Sequence, residues 1–285
     1  MANAASATAK YFFMGSDYMC HLLSMRLPGP VLLLFGAFTS AGCFQMTTVL
    51  KVKADGSGTI DHRMVYSPRA LAQMRSIRPP DGGQPVDPAS EAQARTLAAA
   101  IGPGVSYVTS TPISTPAGQG REATYAFSDV AQLRVSTQPA APPGVSINTP
   151  ALRSDAETVT FSLTQNPNGN AILHIHVPEP NFLDALGSKG AASQIPMIKA
   201  LLGGAHVLLA VEPEGALVRT SSPFVDGARV TLLEVDLDEV LKDERLIARL
   251  KEATTQDEAK AAVRAAAGVK INLDREITVE FTPPK

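Results

Sequence analysis

The stretch Lys53–Met64, KADGSGTIDHRM, constrains the fold more than any other, because it leaves the flanking chain only one way to run. Aligned with a calcium-binding loop, Gly58 takes the place of the turn glycine, and Asp55 and Ser57 fall at two ligand positions. Lys53 then stands where the first carboxylate belongs, and Met64 where the bidentate glutamate belongs. A hard cation cannot accept an ammonium and a thioether in place of its two best ligands. The flanks alternate instead of following a helical period. Met46, Thr48, Leu50 and Val52 share one face, as do Ile60, His62, Met64 and Tyr66 on the return. Asp-Gly and Ser-Gly supply the backbone freedom of a tight turn. The sequence therefore predicts a β-hairpin here.

Other strands are expected near Val105–Thr111, Arg121–Phe127, Val159–Leu163, Ala171–Val177, His206–Val211, Ala216–Thr220, Arg229–Val235 and Arg275–Phe281. Helices are expected at 69–77, at 89–101 behind Asp87-Pro88, over SQIPMIKALLGG, and from Asp236 to about Ala253 with a break at Asp243. A last helix runs from Gln256 to Ala267, opened by a Thr255/Glu258 capping box. Strand pairs with helices grouped between them indicate an α+β fold: an antiparallel sheet built from β-hairpins, with helices packed on one face. The Pro-rich run QPAAPPGVSINTP (138–150) reads as a connection between a first lobe, 43–137, and a similar second lobe, 151–285.

With 285 residues, 45 % hydrophobic and 18 % charged, the chain can bury a real core. A net charge of −2 without a long basic run argues against nucleic acid as a partner. The absence of Trp weakens a carbohydrate-binding reading, since sugar faces are usually held by stacked aromatics. No G-x-S-x-G elbow, HExxH helix or phosphate-binding glycine loop is present, and nothing in the sequence asks for a cofactor.

The N-terminal region addresses the chain. From Met25 the order is Arg26, an apolar run Val31–Phe38, then small residues ahead of Cys43. That is the order of an export signal, and the apolar stretch is shorter than the roughly 20 residues a membrane-spanning helix needs. Residues 1–42 are read as a signal peptide with an over-extended start, the working start being Met25. The segment SAGC resembles the lipobox of bacterial lipoproteins, with Ser40 where Leu is commonest. The resemblance implies cleavage before Cys43, lipid (palmitate-type) acylation of its sulfur, and anchoring of the mature chain to the cell membrane or outer membrane. Beyond it, V-x-A-DGSG-T, TYAFSDVAQLR (124–134) and residues 206–237 are together similar to the LppM-like domain family of envelope lipoproteins. Pro213-Glu214-Gly215 and Val218–Ser222 follow that family's pattern, with Ser221 where Asn is common. The resemblance spans most of 43–240 and implies an envelope-anchored, non-catalytic domain, some of whose relatives bind glycolipids.

Three functions stay open. The first is a non-catalytic binding module for an apolar or amphiphilic envelope ligand, held against the apolar arc Ile195, Met197, Ile198, Leu201 and Leu202 of the SQIPMIKALLGG helix. It predicts a cavity beneath that helix. The second is a scaffold that docks another envelope protein through an open strand edge or an exposed apolar patch. The third is a zinc-dependent hydrolase. His174 and His176 project from one side of a strand, and His62 would have to join them as a third ligand. The plainer reading of the His174/His176 pair is a polar strand face opposite Leu173, Ile175 and Val177.

Overall fold

The computed structural model describes residues 44–76, 87–136, 158–178 and 204–284. The KADGSGTIDHRM segment is the turn of a hairpin. Strands β1 (Phe44–Val52) and β2 (Gly58–Tyr66) pair antiparallel from Phe44↔Tyr66 to Val52↔Gly58. Lys53 N–H donates to the Ser57 carbonyl at 2.8 Å and Gly56 N–H to the Lys53 carbonyl at 3.0 Å, which closes the turn. Gly56 takes a φ of 86°, a left-handed value that side chains avoid. The Asp55 carboxylate accepts from Ser57 N–H at 2.9 Å and from its hydroxyl at 2.7 Å, so it serves the turn.

Helix α1 (Pro68–Ser76) follows, then α2 (Glu91–Ile101). The helix expected to open at Asp87-Pro88 starts three residues later. Ser90 is its cap, accepting from Gln93 N–H at 3.2 Å, while Asp87 accepts from Ala89 N–H and holds the preceding turn. A second hairpin, β3 (Ser106–Thr115) with β4 (Gly118–Phe127), lays β4 against β2. Then come β5 (Val135–Ser136), β6 (Thr158–Gln165), β7 (Ala171–His176), β8 (His206–Pro213), β9 (Ala216–Thr220), β10 (Val225–Asp226) and β11 (Arg229–Asp236). Three short helices follow, α3 (Leu237–Lys242), α4 (Glu244–Glu252) and α5 (Gln256–Arg264), before β12 (Val269–Ile271) and β13 (Glu276–Thr282). The break at Asp243 is a true cap: its carboxylate accepts from Arg245 and Leu246 N–H, both at 3.0 Å. At α5 the Thr255/Glu258 capping box closes in both directions.

The strands assemble into two sheets, one ordered β10-β11-β8-β1-β2-β4-β3 with β12 added beside β11, the other β5-β6-β7-β13-β9. The expected α+β arrangement, one antiparallel sheet covered by helices, is not what forms. Among the described residues strand accounts for 48 % against 24 % helix, and the helices there are few and short. The first sheet is mixed, because β1 and β8 run parallel from Gln45↔His206 to Val52↔Pro213. That pair joins strands from either side of the 138–150 connection, which itself lies outside the described residues. The main apolar cluster draws on both sheets: Leu50, Ile60 and Tyr125 from the first, Phe161, Leu173, Val279 and Phe281 from the second. A second sheet thus covers apolar surface that helices were expected to cover. The physical reason is that alternation specifies which side of a strand is buried but not what buries it.

One irregularity is neatly compensated. The β8–β11 register slips between Thr231 and Leu233. The buried side chain of Asn272 donates to the Thr231 carbonyl at 2.7 Å and the Leu232 carbonyl at 3.4 Å, so the bulge leaves its carbonyls paired.

Candidate functional site

Between α2 and the face of β1, β2 and β4 lies a cavity of about 160 Å³. Its floor is the face that the hairpin alternation defines: Met46 and Thr48 on β1, then Ile60, His62, Met64 and Tyr66 on β2. Register places Thr48 opposite His62 and His62 opposite Ala123, so the centre of the floor is one small polar group, one imidazole and one methyl. The roof is α2, with Ala94, Leu97 and Ile101 turned inward. Arg134, Val135 and Ser136 complete the described lining.

Specific bonds suspend the roof above the floor. Tyr125 hydroxyl donates to the Ala94 carbonyl at 2.8 Å, and Arg121 Nε to the Ala89 carbonyl at 3.0 Å. Arg134 N–H donates to the Ile101 carbonyl at 2.8 Å. Along the β3 side, Arg95 lies 4.2 Å over the Tyr107 ring, which itself packs edge-on against Tyr125. Tyr107 hydroxyl and Arg121 both meet Ser110 Oγ at 2.7 Å. The helix is thus held by large side chains at its margins while alanines face the middle, and the gap beneath stays unfilled.

Burial dominates the electrostatics of the cavity. It pushes the His62 imidazole down to about 4, so the ring is neutral at ordinary pH. Burial, helped by the charge of Asp87, pushes the Tyr66 phenol up to about 12. The charged side chains on the wall are Arg121 and Arg134, and no carboxylate is among the described lining residues. The arrangement can shelter an apolar group and offer it polar contacts from one imidazole and two guanidinium groups. Its one hydroxyl–imidazole pair, Thr48 with His62, has no third group orienting the ring among the described residues.

The histidines do not converge. His62 belongs to the first sheet, while His174 and His176 stand on β7 in the second. His174 Nδ1 is 2.8 Å from Glu276 Oε1 and its Nε2 is 3.2 Å from Thr164 Oγ1, so both ring nitrogens are occupied by neighbouring strands. His176 is exposed beside them. Among the described residues, no three His, Cys, Asp or Glu side chains are grouped to hold a metal ion. The acidic residues around 234–239 have separate tasks. Asp236 caps α3, accepting from Asp238 and Glu239 N–H, and Glu234 pairs with Lys270 at 2.7 Å. Cys43 and the apolar arc Ile195, Met197, Ile198, Leu201 and Leu202 lie outside the described residues.

The cavity sits under α2, a helix that the sequence reading did not single out. The signal was nevertheless present: Thr48 and His62 interrupt two otherwise apolar strand faces at positions that the hairpin register makes adjacent, below a helix with five alanines in EAQARTLAAAI.

No family model matches the chain, and no curated protein does. Among solved structures the chain is similar to the NMR structure of the folded domain of LppM from Mycobacterium tuberculosis. The match covers 88 % of this chain and 95 % of that one, at 11 % identity and a TM-score of 0.32. It is a distant likeness of fold. A likeness that loose says nothing about what either chain binds.

Proposed function

We propose that the chain is a lipid-anchored envelope lipoprotein acting as a non-catalytic binding module, and that the cavity under α2 receives the apolar end of an amphiphilic ligand. The observation that carries this reading is the cavity itself: a gap of about 160 Å³ with mostly apolar walls, its roof pinned by Tyr125 at the Ala94 carbonyl of the helix and by Arg121 at the Ala89 carbonyl in the turn before it. An apolar cavity of roughly 150 Å³ is enough to take a benzene, whereas pockets that engulf a whole small molecule run to about 300–1,000 Å³. The gap therefore suits one segment of a chain or a ring, with the remainder of the ligand outside. The export order of residues 25–42 and the lipobox resemblance at Cys43 support anchoring. Among the described residues, no helix is long and apolar enough to cross a membrane.

The docking reading draws less support. Strand β3, at the edge of its sheet among the described residues, carries Pro112 and a register shift next to Val108, both of which blunt an edge against further pairing.

Two measurements test the proposal. Palmitate labelling and cell fractionation of the wild type beside Cys43→Ser should give a labelled, membrane-bound wild type and an unlabelled variant; no label on either would remove the anchor. Lipid extraction and mass spectrometry of the purified protein should recover a co-purifying amphiphile that Ala94→Phe, which fills the cavity, no longer retains. Equal recovery from both proteins would place the ligand elsewhere.

A further inference from the structure

We infer that His62 is the polar recognition group of the cavity, a fixed Nε2–H donor that selects ligands carrying an acyl oxygen, either the carbonyl of an ester or the carboxyl of a fatty acid. This rests on the cavity being the binding site.

The argument begins with Thr48. Its side chain is buried, and Thr48 Oγ1 lies 2.9 Å from His62 Nδ1. Two proton arrangements are possible across that contact. If Nδ1 carried the proton and donated to Thr48, the hydroxyl proton would have no acceptor, and the Nε2 lone pair no donor, among the described residues. Both groups would then pay for burial without a partner. If the hydroxyl donates to Nδ1 instead, Thr48 is satisfied and the ring proton sits on Nε2. The second arrangement leaves one unmet group where the first leaves two. Thr48 thus fixes the tautomer, as a backbone carbonyl does for many functional histidines from the opposite side.

That remaining Nε2–H belongs to a side chain on the cavity floor, whose hydrogen bond among the described residues is the one through Nδ1. Several other polar groups on the wall already have partners. Tyr125 hydroxyl is bound to the Ala94 carbonyl, Ser90 Oγ to Gln93 N–H, and Arg121 to Ala89 and Ser110. A neutral donor in an apolar enclosure favours an oxygen acceptor and penalises a second donor, because an unpaired buried N–H is costly. An acyl carbonyl meets the need and brings an apolar chain with it. The absence of carboxylates from the described wall agrees, since a carboxylate beside the ring would take the proton for itself.

The test uses the full chain and three probes of matched chain length: octane, methyl octanoate and octanoate, measured by displacement of anilinonaphthalene sulfonate. Wild type, His62→Phe and Ala94→Phe are compared. The ratio of ester affinity to alkane affinity should fall about three- to tenfold in His62→Phe, the worth of one net hydrogen bond, and the octanoate-to-alkane ratio should fall with it. Ala94→Phe should weaken all three probes. An unchanged ratio in His62→Phe, with Ala94→Phe weakening all probes, would overturn the role of His62 and leave the cavity reading standing. Unchanged binding in Ala94→Phe would instead remove the cavity reading. Nitrogen-15 NMR of the wild type decides independently of any variant: a proton on Nε2 is expected, and a proton on Nδ1 would refute the inference.

Discussion

Acidification should destabilise this protein through His62 in particular. In the folded chain burial holds the imidazole near about 4, against 6.5 for an unrestrained histidine. Above about pH 6.5 the ring is neutral in both folded and unfolded chains and contributes nothing to the difference. Between about pH 6.5 and about pH 4 the unfolded chain binds a proton that the folded chain refuses, so stability falls as the pH falls. One unit of separation is worth about 1.36 kcal/mol, so the gap amounts to roughly 3 kcal/mol in full and roughly 2–3 kcal/mol by about pH 4.5. The groups facing the ring do not offset this. Arg121 and Arg134 are cationic throughout the window and Tyr66 stays neutral.

Urea unfolding at a series of pH values, for wild type and His62→Phe, measures the effect as a change of midpoint at constant slope. Carboxylates elsewhere shift both proteins alike, so the difference between the two pH profiles isolates the ring. The wild type should lose roughly 2–3 kcal/mol more than the variant between about pH 7 and about pH 4.5. Parallel profiles would refute the reasoning, because they would mean that the imidazole protonates in the folded state as easily as in the unfolded one.

Other substitutions test the frame around the cavity. Asn272→Leu removes the amide that pairs the Thr231 and Leu232 carbonyls at the β11 bulge, and should cost about 1–3 kcal/mol in denaturant unfolding. Gly120→Ala drives a methyl into the Met64 carbonyl, so β2 and β4 must part; a loss of about 1–3 kcal/mol and weaker amide protection along both strands are expected. Thr255→Ala opens the capping box of α5 and should cost about 1 kcal/mol, with amide exchange quickened in that helix and unchanged in β2.

Local order was legible where the chain specifies it locally. The hairpin at 53–57 follows from its glycines and from the alternation on both sides, and the α5 cap follows from Thr255 and Glu258. Strand partners were not legible, because pairing depends on groups far apart in sequence. Nothing in QMTTVLKV names HVLLAVEP as its parallel neighbour, yet that pairing makes the first sheet mixed and joins the two halves of the chain. The same limit misassigned the cover of the core. Phe161, Leu173, Val279 and Phe281 alternate as the faces of half-buried strands should, and a strand cannot say whether a helix or a second sheet will meet that face.

The cavity follows from the same division between local and distant information. A helix packs tightly on a sheet when its inward side chains fill the layer between them. Over this floor α2 presents Ala94 and Ala100 with Leu97 and Ile101, while the floor itself presents Thr48, His62 and Ala123 at its centre. Short side chains thus oppose short or narrow ones, and closing the gap would require α2 to move down onto the strands. Tyr125 and Arg121 prevent that movement, since their bonds to the Ala94 and Ala89 carbonyls fix the height of the helix by the length of their own side chains. If those side chains act as props, Tyr125→Phe should do more than lose one hydrogen bond. It should let α2 settle and the cavity shrink, so that octane binding weakens although the apolar ring at position 125 stays on the wall. A Tyr125→Phe protein that binds octane as the wild type does would show that packing along the margins, rather than these bonds, keeps the roof raised.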